Sequence, residues 1–186
     1  MSVPLPAFPA PAPSPYHAWV RPIGQASFWL SLLLTVYFLL QALLLWPLHG
    51  TAAWQALAGA ALAHQVHSMA WLLAHPVAAS MIAALYCLVS TLASHGLLRE
   101  RRWGLWSFVA MLMLSALANF AIAAWLDLFM REVIPLLTDD IGVQHELRVK
   151  RLLFTLTLLG TSFLLLGLQG WLGWRLLRPD IRARFR

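Results

Sequence analysis

The side chains best suited to chemistry lie in one short stretch, HQVHSMAWLLAHP, from His64 to Pro76. If helix runs through it, a step of about 100° per residue puts His64 at about 0°, His67 at about 300° and His75 at about 20°. Trp71 shares that stripe, whereas Met69, at about 140°, is off it. His64 and His67, at i,i+3, can reach one metal ion, and a zinc or copper site would draw its remaining ligands from His49, His145, Glu146 or Asp139. His75 is about 16 Å along the helix from His64 and cannot join them. A bis-histidine haem finds no pair at matching depth on facing spans within one copy. The alternative is that these are interfacial histidines bonding locally at a helix end, where they can also sense pH. No bound cofactor is expected on that second reading.

A second constellation is Gln41, His75, Asn119 and Thr157, one residue from each apolar run. Counted from the end of its run, each sits about 6–9 Å inside the same boundary. Facing inward, they would form a polar layer. Facing elsewhere, each would bond within its own helix at little cost at such depth. No Asp, Glu, Lys or Arg falls at the centre of a run, which argues against a proton-coupled transporter. No hydrolase, kinase or nucleotide-binding motif appears, and the chain is expected not to be an enzyme.

The elements that must position these residues follow from composition. The chain is 61% hydrophobic and 11% charged, with mean hydropathy +0.73, against about 25% charged residues in soluble domains. Pro22 to Leu98 contains no Asp, Glu, Lys or Arg. This pattern implies an all-α integral membrane protein, since lipid forces backbone groups to pair within helices. Four runs are long enough to span, 26–48, 70–94, 105–126 and 152–172. They imply a four-transmembrane-helix bundle occupying 26–178, after a proline-rich arm over 1–25 and before a basic tail over 179–186. The linker GTAAWQALAGAALA, with Ala52, Ala56 and Ala60 repeating every four residues, reads as an interfacial or re-entrant helix between the first two spans.

Orientation follows from Lys and Arg. Arg21, Arg99, Arg101, Arg102, Arg175, Arg178, Arg182, Arg184 and Arg186 fall on one side, and Arg131, Arg148, Lys150 and Arg151 on the other, beside most of the acids. Both termini are therefore expected in the cytoplasm. Tryptophans at the predicted ends of the runs agree with this. The excess of arginine over lysine, with abundant Ala and Leu, suggests a GC-rich bacterial genome and hence the bacterial inner membrane. The net charge of +6 belongs to helix ends that meet anionic lipid, so no nucleic-acid partner is expected. Cys87 is the sole cysteine, and no intrachain disulfide can form.

The last run carries Gly160, Gly167, Gly170 and Gly173, small residues that let another helix approach closely, within the bundle or between subunits. Asp127 and Arg131, at i,i+4, imply that the third helix continues beyond the membrane until Pro135 limits it. The leading expectation is a non-enzymatic accessory or structural subunit, packing against other membrane-protein subunits or copies of itself. The alternatives are a metal or redox helper using His64 and His67, and a small channel or lipid-binding protein.

Overall fold

The computed structural model describes residues 19–64 and 66–186, so most of the proline-rich arm lies outside the described residues. Among the described residues all regular structure is helical: α1 (Arg21–His49), α2 (Ala52–Ala63), α3 (His67–Ala74), α4 (Pro76–Leu98), α5 (Arg102–Leu137), α6 (Ile141–Leu176) and α7 (Pro179–Arg182). Four of these helices, α1, α4, α5 and α6, are long and apolar enough to cross a membrane. α1 starts earlier than the charge-free run suggested, because Pro22 sits in its first turn, where a missing N–H is harmless.

Local chemistry sets the other boundaries. Thr51 caps α2 by accepting from Trp54 N (3.3 Å). Asp140 caps α6 by accepting from Gly142 N (2.7 Å) and Val143 N (3.3 Å). The second spanning helix begins at Pro76, not at residue 70. His75 has φ −130° and ψ 51°, away from helical values, because the ring of a following proline disfavours the helical conformation. The stretch from 64 to 75 is therefore no single helix: α2 closes at His64, α3 opens at His67 and the chain breaks again at His75.

Packing runs in the order α1–α4–α5–α6, with α3 laid against α5 and the most extensive contact between α1 and α4. The α1–α4 seam is built from small residues. Gly24, Ser31, Thr35 and Ala42 are buried on α1, and Ser80, Ala84, Cys87, Thr91 and Ser94 on α4. Ser31 Oγ donates to Ser90 Oγ across the seam (3.2 Å), while Thr35, Ser80, Thr91 and Ser94 donate to carbonyls one turn back. In lipid, apolar side chains gain little by meeting each other, so close backbone approach and interhelical hydrogen bonds hold helices together.

The closest approach is at the arginine-rich end. A methyl built on Gly104 of α5 would overlap the backbone of Gly96 on α4, and one on Gly96 would stand 2.7 Å from Gly104 Cα. Around this close approach lies a core drawn from the start of α1, from α4, α5 and α6 and from the tail: Val20, Ala93, Leu97, Leu105, Phe108, Leu176, Ile181 and Phe185. The basic tail is thus a docked element, with Ile181 2% and Phe185 1% exposed. Arg102 N donates to Arg186 O (2.9 Å) and Arg186 N to Glu100 O (3.0 Å), so the tail clasps the α4–α5 turn. Arg102 Nε adds a bond to Phe185 O (3.1 Å). Glu100, inside that turn, has φ 54°, a left-handed conformation that a non-glycine residue holds only under constraint.

The glycines of α6 behave differently. Gly173 packs on Val109 and Met113 (3.5 and 3.6 Å from a built methyl), whereas Gly160, Gly167 and Gly170 meet nothing within 4 Å. Gly104→Ala is therefore expected to destabilise the protein by about 1–3 kcal/mol through forced separation of α4 and α5. Gly160→Ala should leave the isolated chain as stable or slightly more so, since alanine favours helix. Thermal unfolding of both variants in one detergent checks the contrast, and equal effects would refute it.

Candidate functional site

The predicted histidine cluster lies at the end opposite the arginines, and the structure divides it. His64 caps the C-terminus of α2, His67 begins α3, and His75 occupies the break before α4. His75 stacks on Trp71 (centroids 5.6 Å, 22°) and, in its Nδ1-protonated tautomer, donates to Trp71 O (3.3 Å). His49 Nε2 lies 3.1 Å from Ala74 O, tying the end of α1 to the end of α3. Among the described residues no group of three or more His, Cys, Asp or Glu side chains is close enough to hold a metal ion. His49, His145, Glu146 and Asp139 are not gathered around His64 and His67.

The residue brought to His67 is Glu132, and sequence reasoning missed its role. α5 is 36 residues long, about 54 Å at 1.5 Å per residue, against a hydrocarbon core of about 30 Å. The helix is longer than a crossing of such a layer needs, and its charged residues beyond the first turn, Asp127, Arg131 and Glu132, all fall in its last turns. There Glu132 Oε2 accepts from Ser68 N (2.9 Å) and from the Ser68 hydroxyl. Trp125 Nε1 donates to Ser68 O (3.0 Å), so every polar group of Ser68 is tied to α5. Val66, at the N-cap of α3, offers no side-chain bond. Glu132 thus acts as a cap from a different helix, placing negative charge where α3 leaves its first amides unpaired. The Ser68 hydroxyl and amide, with a smaller contribution from the charge of His67, hold the Glu132 carboxyl below its usual range.

His67, Ser68, Trp71, Trp125 and Glu132 line a shallow groove of about 660 Å³. Its one carboxylate is already committed to Ser68, and the arrangement works as a joint between α3 and α5. Trp54 Nε1 donates to Leu73 O (2.8 Å) and fixes α2 to the other end of α3. Ala52, Ala56 and Ala60 remain exposed on α2, directed away from the rest of the chain.

A second joint lies between α5 and α6. Asp127 pairs with Arg131 (3.3 Å), as its spacing implied. It also accepts from Thr155 Oγ1 (2.8 Å) and lies 3.3 Å from Arg151 Nε, two partners on α6 that no local spacing reveals.

The four residues of the expected polar layer are not joined: among the described residues no hydrogen bond links any two of them. Thr157 donates to Leu153 O on its own helix (2.9 Å), His75 bonds Trp71, and Gln41 and Asn119 are half-buried on α1 and α5. A different polar group connects helices within the apolar runs of α5 and α6. Gln169 of α6 donates from Nε2 to Ser115 Oγ of α5 (2.9 Å). Gln169 Oε1 is buried without a hydrogen-bond partner among the described residues. Gln169 was the overlooked signal, a lone amide in an apolar run.

Compared with known proteins, the chain matches no family model, no curated protein and no solved structure.

The Glu132 joint carries a pH dependence. Because its carboxyl is depressed in the folded state, its contribution is complete above the unfolded carboxylate value of about 4.3 and is lost as pH falls through the lower folded value. Relative to the intrinsic exchange rate at each pH, the protection of α3 amides should fall on acidification in the native protein. In Glu132→Gln that protection should already be low at neutral pH and change little with acid. A pH-independent α3 in the native protein would contradict the joint.

Proposed function

We propose that the chain is a non-enzymatic accessory subunit of a membrane assembly, held to another membrane helix, from a partner subunit or a second copy, through the open face of α6. The observation that carries this reading is the unused glycine set. α6 packs closely along its length only on α5, and Gly160, Gly167 and Gly170 face open space. A position that merely touches lipid gains nothing from glycine, which costs a helix interior about 0.8–1.0 kcal/mol relative to alanine. Glycine at such positions is useful where another backbone comes close. Leu164 and Leu168 stand exposed beside the notch and supply the packing side chains for an approaching helix.

The same reading places the protein in the bacterial inner membrane with its arginine-rich end in the cytoplasm, supported by the arginine distribution. The joints at the other end, Ser68–Glu132 and Asp127–Thr155, favour a scaffold, since each uses its carboxylate to fasten helices together. Gly160→Leu with Gly167→Leu should abolish association while leaving unfolding of the isolated chain unchanged. Crosslinking in native membranes followed by native mass spectrometry checks this. A chain that is monomeric and partnerless in both forms, or that assembles equally well with the leucines, would overturn the reading.

A further inference from the structure

We propose that the cleft between the α4–α5 turn and the C-terminal tail binds the phosphate of an anionic phospholipid headgroup. The cleft has a volume of about 750 Å³ and is lined by Arg99, Glu100, Arg101, Trp103, Arg184 and Arg186. Four arginines stand against one glutamate in that lining. The guanidinium fork matches phosphate oxygens in a bidentate geometry, so a phosphate is the ligand chemistry that four such groups recognise best.

At the opposite end three of the four cations, Arg131, Lys150 and Arg151, are in ion pairs, and Arg148 bonds Gln144 (3.3 Å). Among the described residues none of the four cleft arginines has an ion-pair partner. Residues 1–18 contain no Asp or Glu, so the arm brings no carboxylate to the site. The tail is held by backbone bonds at Glu100 and Arg102 and by burial of Ile181 and Phe185, none of which uses the side chains of Arg184 or Arg186. Docking thus brings Arg184 and Arg186 to the cleft that Arg99 and Arg101 line, and like charges gathered there oppose it. An anion in the cleft removes that opposition, so binding and tail docking stabilise each other.

The setting favours a lipid over free phosphate. The apolar helices end at this level, and Trp103, Trp106, Trp171 and Trp174 are about half exposed around it, as indoles are at headgroup depth. Leu98 and Trp103 give the cleft an apolar side suited to the start of an acyl chain. Basic pockets at helix ends on the cytoplasmic face are where anionic headgroups are held.

The test uses the full chain in a neutral detergent, with phosphatidylglycerol, phosphatidylcholine or inorganic phosphate added separately, followed by native mass spectrometry and thermal unfolding. Phosphatidylglycerol should bind saturably and raise the unfolding temperature, while phosphatidylcholine and inorganic phosphate do neither. Arg184→Gln with Arg186→Gln should weaken phosphatidylglycerol binding about tenfold or more. Arg99→Gln with Arg101→Gln, which leaves the buried tail anchors untouched, should do the same. Arg131→Gln at the far end should change nothing. Equal binding of the two lipids, unchanged affinity in both arginine pairs, or full reproduction of the effect by inorganic phosphate would each overturn the proposal.

Discussion

Contact between the backbones of Gly96 and Gly104 sets the geometry of the arginine-rich end. A β-carbon at either position would collide with the opposing chain, so α4 and α5 approach here with no side chain between their backbones. That closeness makes the α4–α5 turn tight, with Glu100 in a left-handed conformation. It also leaves a surface on which the tail can seat Ile181 and Phe185. The two remaining spans are then placed by reference to this pair, α1 along α4 through small residues and α6 along α5.

The two ends and the middle of the molecule are held by different forces. Between the apolar helices the contacts are small residues with a few hydrogen bonds, such as Ser31–Ser90 and Gln169–Ser115. At the arginine-rich end a core forms, with Leu97, Leu105, Leu176 and Phe185 at 1% exposure. Full burial of each such side chain contributes about 1.5–3 kcal/mol. At the far end carboxylates do the fastening: Glu132 holds α3 to α5 and Asp127 holds α5 to α6.

The four long apolar helices were readable from the sequence because hydropathy and the charge-free run report directly on lipid solubility. What was hidden depended on contacts between distant segments. Pro76 announced a helix start, yet the apolar run continued through it and masked the break at His75. The small residues recur at intervals of seven and four on α1 and of four and three on α4, but serine and threonine in an apolar run read as incidental beside the glycines of α6. The glycines drew attention and turned out not to pack within the chain, Gly173 excepted. The tail reads as basic because arginines dominate its composition, which hides the apolar pair Ile181 and Phe185, four residues apart. Among candidate site residues, His64, His67 and His75 were judged on one helix that does not exist, and Glu132, the residue that meets His67, stands 65 positions away in sequence.

The central claim is that the tail is part of the folded core at the Gly96–Gly104 contact. Amide hydrogen exchange of residues 181–186 in the full chain, measured by mass spectrometry in detergent or bilayer, tests it most directly. Amides of Arg182, Phe185 and Arg186, each hydrogen-bonded to a backbone carbonyl, should exchange as slowly as those of α4 and α5 near that contact. Exchange of these amides at the rate of an unstructured peptide, with the spans still protected, would contradict it.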